Sequence, residues 1–134
     1  MKTGSIQQTI KFNAPSSTIY ELIMDERLHS EIAGGEVKMG RNINDRFSVF
    51  DGYCTGYNIE LIPDERIVQA WRFDEEGWPE DHYSIVTFKF KNTENGCELD
   101  FNQSEIPFEK IEALSEGWKT YYWEPIEEYL EIYN

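Results

Sequence analysis

An α+β architecture is the expectation for this chain, and three features carry it. Two runs, 83–91 and 97–103, alternate apolar and polar residues and meet at Asn95-Gly96, a hairpin signal. After Pro107 the apolar period changes from two to three or four: Ile111, Leu114, Trp118, Tyr121 or Tyr122, Pro125, Tyr129. Between the first strand and the strand-rich middle lies a short helical stripe of Ile19, Tyr20, Ile23 and Met24. Sequential hairpins join into one antiparallel sheet, and the long last helix must cover its apolar face. The expected arrangement is a curved antiparallel β-sheet wrapped around a long C-terminal α-helix, with short N-terminal helices, in a single domain over residues 1–134.

The elements follow in order. Residues 6–12 read as a first strand, with Ile6, Ile10 and Phe12 sharing one face. Asn13-Ala14-Pro15-Ser16 breaks it, and Ser16 or Ser17 is placed to cap the helix that ends near Asp25 or Glu26. Residues 27–33 add a further turn of helix before Gly34-Gly35. GEVKMG and DRFSVF are short strands, and Asp51-Gly52 is a tight turn into a longer strand over 53–62. Gly56 inside that strand predicts a bulge or bend. Pro63-Asp64-Glu65 turns the chain into a strand over 66–73, and 74–82 is a polar loop. In the last helix Ile126, Leu130 and Tyr133 widen the apolar stripe, while six glutamates supply the wet face. Gly117 predicts a close approach to the sheet, and Pro125 predicts a kink over Tyr121 to Glu124.

Composition narrows the function classes. With 40% hydrophobic and 28% charged residues, 134 residues suffice for a packed core without metal or disulfides. Twelve Lys and Arg against 26 Asp and Glu give a net charge of -14, which disfavours nucleic acid and anionic membrane as partners. Cys54 and Cys97 fit no zinc or C-x-x-C spacing and are expected to be reduced. No apolar run resembles a membrane span or a secretory signal, so a cytoplasmic location is expected.

Four blocks carry a family resemblance: Lys11 to Asp25, Asp51 to Phe73, Gly77 to Phe90 and Ile106 to Leu130. The most specific parts are the Trp-Pro-Glu loop, Trp78 to Glu80, and Gly-Trp-x-x-Tyr-Tyr, Gly117 to Tyr122. The chain thereby resembles the family named for the C-terminal domain of the activator of Hsp90 ATPase, within the START-like (SRPBCC, Bet v 1-like) helix-grip superfamily. The resemblance implies a helix-grip fold and an Hsp90-type chaperone as a candidate partner. Some helix-grip relatives use the cavity for enzyme chemistry, which keeps an enzyme of unknown reaction as a further alternative.

Chemistry-bearing motifs are sparse. His29 and His82 are widely separated, and His82, behind Glu80 and Asp81, reads as a strand-end histidine before it reads as a base. Asp74-Glu75-Glu76 with Glu80-Asp81 lacks the ligand alternation of a calcium loop and reads as solvated. No catalytic residue, metal site or cofactor is assigned. A bent helix over a curved sheet leaves room between them, so a cavity for a small hydrophobic or amphipathic ligand is the leading expectation. Its candidate wall is Trp71, Phe73 and Phe88 from the strands and Trp118, Tyr121 and Tyr122 from the helix; the plainer reading is that these aromatics fill the core. Arg66 and Arg72 read as strand arginines facing water or nearby glutamates. Trp78 either packs back over the sheet end or anchors a protein interface. Monomer or weak homodimer is expected.

Overall fold

A computed structural model describes residues 1–133. Seven antiparallel strands form one sheet: β1 (Thr3–Phe12), β2 (Lys38–Met39), β3 (Arg46–Val49), β4 (Cys54–Ile62), β5 (Arg66–Phe73), β6 (Ser84–Thr93) and β7 (Gly96–Pro107). Their order across the sheet is β1-β7-β6-β5-β4-β3-β2. The first strand thus pairs with the last, and helices α1 (Ser16–Met24) and α2 (Glu26–Ala33) carry the chain to the opposite edge. This is the helix-grip arrangement expected above. The inward face of β5, β6 and β7 carries Ile67, Trp71, Val86, Phe88, Leu99 and Phe101, all at most 1% exposed.

Three local expectations are corrected. Neither Ser16 nor Ser17 caps α1; instead the Ser16 amide donates to Asn92 Oδ1, near the turn of the β6–β7 hairpin, 2.8 Å away. The hairpin forms where Asn95-Gly96 predicts it, but neither residue takes the positive φ for which such a pair is ordinarily selected in a tight hairpin turn. The bulge in β4 falls between Asn58 and Glu60, not at Gly56. Gly56 answers to close approach instead. A Cβ there would sit 1.7 Å from the Ala70 carbonyl oxygen, so the two strands meet only because no side chain intervenes.

The C-terminal segment holds the largest departure. It runs as a 3-10 turn (Phe108–Lys110), α3 (Ile111–Trp118), a π turn (Lys119–Trp123) and α4 (Glu124–Tyr133). The Glu124 amide bonds the Lys119 carbonyl five residues back, just before Pro125, which has no N–H to give. The extra residue moves the inward stripe one position along. A regular helix continuing from Ile111, Leu114 and Trp118 would bury Pro125 and Tyr129. The observed helix buries Tyr122, Trp123, Ile126 and Leu130, leaves Tyr129 half-buried and exposes Tyr133. Among the described residues, no helix is long and apolar enough to cross a membrane.

Candidate functional site

One end of the C-terminal helix stands off the sheet, and a cavity of about 160 Å³ opens there. Its sheet side is Cys54 from β4 with Trp71 and Phe73 from β5, neighbours because Cys54 pairs with Phe73 and Gly56 with Trp71. Its helix side has two rows. Leu114, Trp118 and Tyr122 form the inner row, while Ala113, Gly117 and Tyr121 form the outer one. Phe50 and Tyr53 close a third side from the β3–β4 turn. That turn is strained at Phe50 and Asp51, with φ of 55 and 59°, and Gly52 follows at 94°, which glycine adopts freely. It is held because the Asp51 carboxylate accepts from the Glu36 amide at 3.0 Å, while the Asp51 amide donates to the Glu36 carbonyl at 3.1 Å. Phe50 is thereby fixed edge-on to Tyr121 and Tyr122, at 5.9 and 6.0 Å between ring centres.

Polar groups sit at the mouth and behind the wall. At the mouth, Lys110 Nζ lies 3.7 Å from the Glu75 carboxylate and donates to the Glu76 carbonyl at 2.6 Å, tying the start of the helix to the β5–β6 loop. Burial and the Glu75 carboxylate push the Tyr53 phenol up to about 12. Behind the wall, Tyr122 lies 2.7 Å from His29 Nε2, and His29 Nδ1 lies 2.9 Å from the Ile23 carbonyl. A carbonyl only accepts, so Nδ1 carries the proton and Nε2 accepts from the Tyr122 hydroxyl. Burial pulls the His29 imidazole down to about 4, against the opposing pull of the Ile23 bond, so it is neutral at physiological pH. Burial also raises the Tyr122 phenol and the Cys54 thiol well above their ordinary values, leaving Cys54 a weak nucleophile.

Of the residues singled out by sequence, Trp71, Phe73, Trp118, Tyr121 and Tyr122 come together around this cavity. Tyr121 stands at its rim, 57% exposed. Phe88 does not reach it; that side chain is packed in the core layer behind, 5.4 Å from Phe101 and 6.1 Å from Trp118 between ring centres. Trp78 is folded back, 5% exposed, against Phe73 with its indole N–H on the His82 carbonyl, and so presents no face to a partner. His82 is tied to the Glu105 carbonyl. Arg66 pairs with Glu60 at 3.1 Å and Arg72 bonds the Glu80 carbonyl. Among the described residues no three carboxylate, thiol or imidazole groups gather as a metal requires. Both cysteines are buried and unpaired.

Sequence reasoning missed His29 and three glutamines. Gln69, Gln103 and Gln8 accept the indole N–H of Trp71, Trp118 and Trp123 at 2.8, 2.7 and 2.7 Å. Gln103 passes the network on to Ser84 Oγ, which donates to the Trp71 carbonyl. The available signal was parity: Gln8, Gln69 and Gln103 occupy inward strand positions beside Ile6, Ile67 and Phe101.

Comparison with known proteins points one way. A family model described as "Activator of Hsp90 ATPase homolog 1-like protein" matches residues 13–131. The human activator of 90 kDa heat shock protein ATPase homolog 1 is 27% identical over 130 residues, covering 96% of this chain and 38% of that protein. The chain thus spans under two fifths of the length of this curated relative. Among solved structures, an HSP90 activator from Plasmodium falciparum superposes with a TM-score of 0.88 at 24% identity, covering 96% of both chains. A Mesorhizobium loti protein superposes with a TM-score of 0.83 at 16% identity, covering 97% of this chain and 98% of its own.

Proposed function

The chain belongs to the Activator of Hsp90 ATPase homolog 1-like family, and within that family we propose that it acts as a non-catalytic binder of a small hydrophobic or amphipathic ligand. The site is the cavity between the C-terminal helix and the sheet. One observation carries this reading: Trp71, Trp118 and Tyr122 pack against one another, yet about 160 Å³ is left open over them, bordered by Phe50, Phe73 and Leu114, with a mouth at Glu75 and Lys110. An empty apolar space loses dispersion contacts along its walls, and an apolar guest restores them. The chemistry of the wall favours binding over catalysis, because the Cys54 thiol is suppressed by burial and the Tyr122 hydroxyl is committed to His29. A thermal-shift screen of small apolar compounds tests it. Saturable stabilisation by at least one compound, lost in Trp118→Ala, is expected; no stabilisation by any of them overturns the reading.

A second reading has its own support. The family match and the human relative favour an Hsp90-type chaperone as a protein partner. With Trp78 buried, the contact would draw on the acidic surface that the charge of -14 provides. Pull-down with an Hsp90-type chaperone and an ATPase assay decide it; absence of both association and rate change at micromolar protein overturns it.

A further inference from the structure

Gly117 has no packing reason to be glycine. A Cβ built there meets nothing within 4 Å, and its φ is not positive. Glycine inside a helix is unfavourable against alanine, and the sheet contact that sequence reasoning invoked to offset this is absent. What the missing side chain does leave is space. Gly117 lines the cavity between Ala113 and Tyr121, on the outer row of the helix. Helical side chains lean toward the preceding turn, so a long side chain at 117 would lie over Ala113 and Leu114 and cover the opening. Ala113 is small as well, so two short residues together keep this row low.

The space behind the opening fixes what enters. About 160 Å³ is below the roughly 300–1,000 Å³ of pockets for drug-sized ligands. It matches the roughly 150 Å³ apolar cavity that accepts benzene. The inner wall is Leu114, Trp118, Tyr122, Trp71 and Phe73, with no ionised group. The ions at the mouth, Glu75 and Lys110, already neutralise one another at 3.7 Å. A charged guest would lose its hydration without gaining a free counter-ion.

We propose that Gly117 is the specificity-determining residue of this cavity, holding its doorway open to an uncharged apolar compound of about one aromatic ring. The inference rests on the binding role proposed above and adds the ligand class and the residue that selects it. Saturation-transfer NMR with toluene, biphenyl, benzoate and benzylammonium, read on the full chain and two variants, tests both. Toluene is expected to bind saturably, with the other three weaker by about tenfold or more, a tenfold step being 1.4 kcal/mol. Gly117→Leu should lose toluene binding with an unchanged circular-dichroism spectrum. Gly117→Ala should raise Tm by about 3–5 °C while weakening toluene. A merely structural glycine would instead lower Tm on substitution. Equal toluene binding by Gly117→Leu, or a lower Tm in Gly117→Ala, overturns the role of Gly117. Biphenyl or a charged probe binding as well as toluene overturns the ligand class while leaving the cavity a binding site. If none of the four binds and the wider apolar screen is also negative, the proposed function falls with it.

Discussion

Three glutamines on the inner face of the sheet each receive an indole N–H from an inward tryptophan. Each bond fixes a large ring in place; those to Trp71 and Trp118 hold two rings that line the cavity, and that to Trp123 holds one in the core beside it. Gln103 makes two such bonds, accepting from Trp118 and donating to Ser84. Gln103→Leu removes both and leaves the buried Trp118 N–H unpaired, so a loss of about 1–3 kcal/mol is expected, read as a lower urea midpoint at unchanged m-value. His29 sets a pH dependence. Its folded value of about 4 lies below the ordinary 6.5, so the unfolded chain takes up the proton first as pH falls. Its contribution is therefore complete above pH 6.5 and is lost progressively toward pH 4. The slope is at most about 1.4 kcal/mol per pH unit for one proton. Carboxylates also titrate in the lower part of that window, so the measurement is the difference between this protein and His29→Gln. The stability gap between them should shrink from pH 7 to pH 5; a gap constant with pH would refute the assignment. Strand parity marks the three glutamines as inward, but the partners of His29, Gln103 and Gln8 lie 93, 15 and 115 positions away on other elements and could not be read from the sequence; only Gln69 has its partner, Trp71, two residues on in the same strand.

The C-terminal helix shows how one element can be right in kind and shifted in phase. Spacing predicts a helix after Pro107 and an irregularity before Pro125, and both are present. Spacing extended through the irregularity centres the stripe on Pro125 and Tyr129 with Ile126 and Leu130 at its edge, whereas Ile126 and Leu130 are the buried pair. A π turn holds one residue more than an α turn over the same arc. Removing one exposed residue should therefore restore a regular helix with the same buried set. Deletion of Thr120 is expected to leave a cooperatively folded protein in which Trp118, Tyr122, Trp123 and Ile126 keep their inward places. Tyr121 moves from the cavity rim, and toluene binding weakens. Non-cooperative unfolding of the deletion would show that the π turn is needed for packing itself. The β3–β4 turn teaches a related point. Asp51-Gly52 announces a turn, but the left-handed backbone at Phe50 that aims its ring at Tyr121 and Tyr122 is set by the clamp to Glu36.

For the molecule as a whole, the charge of -14 on 134 residues is a field that folding concentrates. Four ion pairs join described residues, and Arg41 with Glu21 is the bidentate one, at 2.9 and 2.7 Å. Repulsion should outweigh them at low salt. Raising sodium chloride from about 10 mM to about 500 mM shortens the screening length from roughly 30 Å to a few Å, so Tm should rise; a flat or falling Tm would mean that the attractive pairs dominate. The strands, the helices and their order were legible in the sequence because alternation of period two and spacing of three to four record which side of each element meets water. The family resemblance was legible because Gly117 to Tyr122 and the Trp78 loop are local strings. The fate of each aromatic was not. Phe88 and Trp71 share the inward side of the sheet and are both buried, yet only Trp71 borders the cavity. That division depends on where the helix stands off the sheet, on the phase set by the π turn and on the space left at Gly117, and these arise only when distant segments pack together.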